Sequence, residues 1–104
     1  MHEEVSTRSE HAQTYYDQGV TFLYAYNYID AIRSFQGALR SDPKLAMAHL
    51  GLSFAFEDML ENAAARTEER RAEALASYVT NREKTRIAFA KPTTWGIAAR
   101  QPKQ

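Results

Sequence analysis

Three histidines, His2, His11 and His49, are the only imidazoles in the 104 residues, and there is no cysteine. Zinc or another soft metal needs three or four such ligands converging on one point, commonly two of them four residues apart on one helix. His11 and His49 fall in different segments with neither an i, i+4 histidine pair nor a His-Glu-x-x-His run, so no metal site and no cofactor is expected. Nucleophilic catalysis is equally unsupported. Serines and threonines are plentiful, but none lies in a nucleophile elbow, and Gly19, Gly37, Gly51 and Gly96 are scattered singly rather than gathered into a phosphate loop. Glu57 with Asp58, and Glu68 with Glu69, are adjacent carboxylates. On a helix adjacent side chains point about 100° apart, so neither pair converges on one bond as general acid and base must. The residues point away from an enzyme.

The elements that carry these residues are helical. Pro43 is the only proline before residue 92, and four glycines are spread over the whole chain, so few breakers interrupt residues 10 to 90. Tyr15, Phe22 and Tyr26, with Ala12 and Gly19, follow helical spacing between His11 and Tyr26. Asn27 is then the expected left-handed exit residue. Ile29, Ile32, Phe35, Ala38 and Leu39 form a second stripe, which ends near Ser41 because Pro43 biases Asp42 away from helical geometry. A third helix is expected from about Lys44 to Met59 on Leu45, Ala48, Leu52, Ala55, Phe56 and Met59. A fourth runs over Asn62 to Val79 on Ala72, Leu75, Ala76 and Val79. Thr80 and Glu83 have capping-box spacing and open a short fifth helix, Asn81 to Ala90.

Shifting the chain by 34 positions aligns small residues with small ones: Ala12 with Ala46, Gly19 with Ser53, Ala31 with Ala65 and Ala38 with Ala72, while Phe22 meets Phe56. Small positions let the two helices of a hairpin approach closely, and bulky ones fill the space between hairpins. The residues Tyr15, Gly19, Phe22, Tyr28, Ala31, Phe35, Ala38 and Pro43 resemble the signature of the tetratricopeptide repeat family, a roughly 34-residue helix-turn-helix. Gln18 stands where that pattern has Leu, and Tyr26 where it has the turn glycine. Ala46, His49, Leu52, Ser53 and Phe56 fit the first helix of a second repeat, whose second half departs from the pattern at Glu69 and Ser77; His49 takes an aromatic packing position. The expected organisation is a loose segment over 1–10, a repeat over 11–43, a degenerate repeat over 44–79, a short helix over 80–90 and a flexible basic tail over 91–104. The run YAYNYIDAIRSF, Tyr24 to Phe35, is similar to a variant common in bacterial repeat proteins. The fold class expected is all-α, a short helical-hairpin array of about five helices.

A second apolar face lies about 100° from the core stripe of the first helix. It holds Gln13, Tyr16, Val20 and Tyr24, and the 34-residue shift carries these onto Met47, Leu50, Phe54 and Asp58. In proteins that this chain resembles, first helices line a concave groove that receives a peptide or helix. Here that groove would take a hydrophobic or amphipathic guest, with Gln13 and Asp58 at its polar edge. Where some members of that family clamp a terminal carboxylate with Lys, Asn and Arg, this chain has Tyr16, Val20 and Gly51, so the clamp is absent. The same face could instead be covered by the chain's own long helix, by Trp95 or by a second copy.

Charge qualifies these readings. Thirteen basic and thirteen acidic residues cancel overall, which argues against a general attraction to nucleic acid or an anionic membrane. Residues 80 to 104 hold six bases and one acid, so an RNA-contacting accessory role through Arg82, Lys84, Arg86, Lys91, Arg100 and Lys103 is a further alternative. The longest uncharged stretch, Leu45 to Phe56, is too short to span a bilayer, and residues 1 to 10 do not look like a secretory signal, so a cytoplasmic setting is expected. Arrays of this kind usually need three or more units. A partner protein segment, or a second copy forming a homodimer, is therefore expected to complete this one.

Overall fold

The computed structural model describes residues 4–88 and is all-helical, with no strand among them. Its α-helices are α1 (Glu10–Tyr24), α2 (Tyr28–Ser41), α3 (Ala46–Asp58), α4 (Asn62–Ala74) and α5 (Asn81–Ala88), and a single 3-10 turn at Ala76–Tyr78 joins the last two. The expected fourth helix therefore stops early: after Ala74 the chain tightens into the 3-10 turn and leaves it through an extended Val79. Trp95 and the basic tail expected over 91–104 lie outside the described residues.

Helix starts and stops follow from local hydrogen bonding. Ser9 caps α1, its Oγ accepting from the Ala12 N–H at 3.0 Å. Asp42 is extended, as its place before Pro43 requires, and α2 ends there. At α5 the Thr80 N–H donates to Glu83 Oε1, and the Glu83 N–H to Thr80 Oγ1, each at 3.2 Å. That is the reciprocal capping box the spacing implied.

The turns within the two hairpins repeat one another bond for bond at an offset of 34. In the first, the Tyr26 N–H reaches Leu23 O and the Asn27 N–H reaches Phe22 O; in the second, the Leu60 N–H reaches Glu57 O and the Glu61 N–H reaches Phe56 O. This is the Schellman arrangement, which needs one left-handed residue at its centre. The residue is Tyr26 (φ 62°) in one turn and Leu60 (φ 64°) in the other. Asn27, expected to fill that role, has φ −97° and begins α2 instead. Leu60 is 82% exposed, so its side chain gains little from burial while its backbone carries the left-handed strain. Leu60→Gly should raise stability by about 0.5–1 kcal/mol, seen as a melting temperature higher by about 4 °C.

Phe35 is the centre of the packing. A Cβ built on Gly19 of α1 would lie 2.6 Å from its ring, and one on Gly51 of α3 only 2.4 Å, so the ring presses on two glycine backbones at once. Ala31 and Ala38 are fully buried, as the small positions of a close hairpin require. Tyr15 packs over Gly37 yet remains 38% exposed. Phe22 and Tyr28 are partly buried against the core, and Pro43 is exposed. Three further stripe residues did not land in the core: Tyr26 is 55%, Ile29 51% and Met59 36% exposed, each in or beside the turn of a hairpin. Helix α3 is the central element. All but one residue from Ala46 to Ala55 is buried, the exception, His49, being only partly exposed.

Candidate binding face

The α1 and α3 side chains expected to form an open groove are largely inside the protein. Tyr16, Met47 and Leu50 are fully buried, Phe54 is 1% and Val20 3% exposed. Tyr24, Gln13 and Asp58 are half-buried at the margin. The expectation that all eight stand ready for a guest is thus corrected for five of them. Gly51, placed by sequence among the groove positions, faces Phe35 instead. Tyr16 likewise reaches inward, its ring 5.8 Å from that of Phe35 and tilted by 56°.

What closes the face is the chain itself. Val5 and Ile87 join the same buried cluster as Tyr16, Val20, Met47, Leu50 and Phe54. Residues 4–9, expected to trail loosely, are pinned at several points. The Val5 N–H donates to Gln13 Oε1 at 3.1 Å, and Gln13 Nε2 in turn donates to Asp17 Oδ1 at 2.9 Å. Ser6 offers both its N–H (3.0 Å) and its hydroxyl (2.7 Å) to the carboxylate of Glu83 on α5. Thr7 Oγ1 donates to Asp42 Oδ2 at 2.6 Å. Beside this strap lies an open cleft of about 580 Å³, bounded by Arg8, Asp42, Lys44 and Tyr78. Asp42 and Lys44 have structural partners there: the Lys44 backbone N–H donates to Asp42 Oδ1, and the Lys44 ammonium lies 4.7 Å from the centre of the Tyr78 ring.

The candidate chemical groups are accounted for by packing. His49 Nδ1 is 2.7 Å from Glu68 Oε1, and Arg71 Nη1 donates to Glu68 Oε2 at 2.8 Å. A buried carboxylate is thereby held between two partners, tying α3 to α4, where the sequence suggested only an aromatic-like filler at His49. Glu69 is turned elsewhere. Its carboxyl is held above the usual carboxylate range, first by partial burial and then by the neighbouring Glu57 and Glu73. Glu68 and Glu69 therefore face different surroundings, as adjacent helical positions must. Among the described residues no group of three or more His, Asp or Glu side chains could hold a metal ion. Nor is any described helix long and apolar enough to cross a membrane.

Sequence reasoning missed the cover. Val5 is the only branched aliphatic residue ahead of Val20, and Ile87 is the only one after Val79 within the described chain, so neither stands in a periodic stripe. The detectable signal was the capping box at Thr80 and Glu83, which placed a helix start but could not show that its acid also binds Ser6. In comparisons with protein families, curated proteins and solved structures, nothing matches this chain.

Proposed function

We propose that the protein is a non-catalytic scaffold of the tetratricopeptide type, which holds a hydrophobic or amphipathic protein segment against the face shared by α1 and α3. The observation that carries this reading is that the face is apolar from Tyr16 and Val20 to Met47, Leu50 and Phe54 and already holds polypeptide, namely the chain's own residues around Val5 and Ile87. The equal turns at an offset of 34, and the small residues packed at Gly19, Ala31 and Ala38, support the resemblance on which the role rests. An uncovered apolar face was one of two grounds for expecting a homodimer. With the face covered, only the small number of repeats still argues for one.

A peptide array of amphipathic helices, probed with tagged protein at two salt concentrations, tests the reading. Apolar capture should change little with added salt, and Tyr24→Ala, at the margin of the face, should weaken it several-fold with helicity unchanged. Binding confined to RNA and falling steeply with salt would assign the function to the basic residues beyond Thr80 instead. Absence of any peptide capture would remove the scaffold reading.

A further inference from the structure

The cover over the α1/α3 face is clipped to itself as well as to the body of the protein. Glu83 is 2% exposed, and its carboxylate accepts from the Ser6 N–H, the Ser6 hydroxyl and the Thr80 N–H, all of them within the strap and the start of α5. Toward the body, the strap contributes the Val5, Thr7 and Ser9 hydrogen bonds, α5 packs against α3 and α4, and Val5 and Ile87 belong to the buried apolar cluster. The described part of α5, Asn81–Ala88, is short, and short helices draw most of their stability from packing. Segments of this kind open at lower cost than the core they cover.

We infer that residues 4–9 and α5 form a displaceable latch, and that the guest is a short helix presenting an acidic residue and, four positions later, a branched aliphatic residue, with basic side chains on its outer surface. This rests on the scaffold reading above and adds the chemistry of the partner. The occupant in place supplies the template. Helix α5 turns Glu83 and Ile87 inward, one above the other at i and i+4, while Arg82 and Lys84 stay in solvent. A guest that keeps this pair keeps what α5 offers: a carboxylate for the Ser6 N–H and hydroxyl, and an aliphatic group for the buried cluster. A guest without the acid would leave Ser6 without the acceptor it has now, and a guest without the aliphatic residue would leave a void in the buried cluster that Ile87 joins.

The test uses the full chain, its Glu83→Ala variant, and a fluorescent peptide of residues 79–88 added in trans. In the variant the latch has lost its acceptor, and the peptide restores it. Binding should be at least tenfold tighter to the variant than to the unmodified chain, and at least tenfold weaker when the peptide carries Ile87→Ala or Glu83→Gln. If Glu83→Ala does not fold, Glu83→Gln in the full chain, which leaves Ser6 intact, makes the same comparison. A scrambled peptide of equal composition that binds the opened variant as well as the native one would overturn the guest chemistry and leave the scaffold reading standing. If neither peptide binds, both fall.

Discussion

A single methyl group added at Gly51 is expected to destabilise the protein by about 2–3 kcal/mol, despite the better helix propensity of alanine. The new Cβ would lie 2.4 Å from Phe35 Cζ, well inside contact distance, and the ring cannot retreat because Gly19 on α1 faces it with the same restriction. Backbone must move instead. Gly37→Ala is the control: its Cβ would meet the Tyr15 ring at 2.9 Å, but Tyr15 is 38% exposed and can swing outward. That substitution should change stability by less than about 1 kcal/mol in either direction. Urea unfolding of both variants measures the difference, and a Gly51→Ala, Phe35→Leu double variant should lose less than the two singles together, since the clash is shared. Equal behaviour of Gly51→Ala and Gly37→Ala would mean that Phe35 is not held between α1 and α3.

Phe54→Ala is expected to cost about 3–5 kcal/mol, enough to leave much of the population unfolded in a domain whose total stability is of order 5–10 kcal/mol. The ring is 1% exposed and belongs to the buried cluster, so its removal opens a cavity in the core. Tyr24→Ala, at the half-buried margin, should cost only about 1 kcal/mol. Thermal melts separate the two. A Phe54→Ala protein that melts within a degree or two of the unmodified chain would show that this side chain is not packed and that the face is open.

These two residues also mark how far the sequence could be read. Helical periodicity and the 34-residue offset placed four of the five α-helices to within about two residues at each described end, because proline, the capping box and the small positions act locally. The offset reappears in the turns. Even there a local rule was overridden: Tyr26 and Leu60, not Asn27, take the left-handed position, because the register of the Schellman bonds decides which residue sits at the centre of the turn. Burial was harder to read than helicity. Periodicity assigns a side to each apolar residue only when another side is wet, and α3 is buried nearly all round. Its Met47, Leu50 and Phe54 therefore looked like a second, solvent-facing stripe. The isolated Val5 and Ile87 that cover them belong to no stripe, and the two segments that carry them are joined through Ser6 and Glu83, 77 positions apart. Gly51 shows the same effect on a smaller scale: its neighbour Phe35 is fixed by the docking of α2 on α3, which no local pattern encodes.

Amide hydrogen exchange on the intact chain addresses the central claim, that the α1/α3 face is a polypeptide-binding surface occupied in cis rather than ordinary interior. If the claim holds, residues 4–9 and 81–88 exchange together through an opening well below the cost of global unfolding, while the amides of α1, α2 and α3 exchange only when the whole domain unfolds. Exchange of the strap and α5 at the same free energy as α3 would contradict it, since the cover would then be an inseparable part of the core.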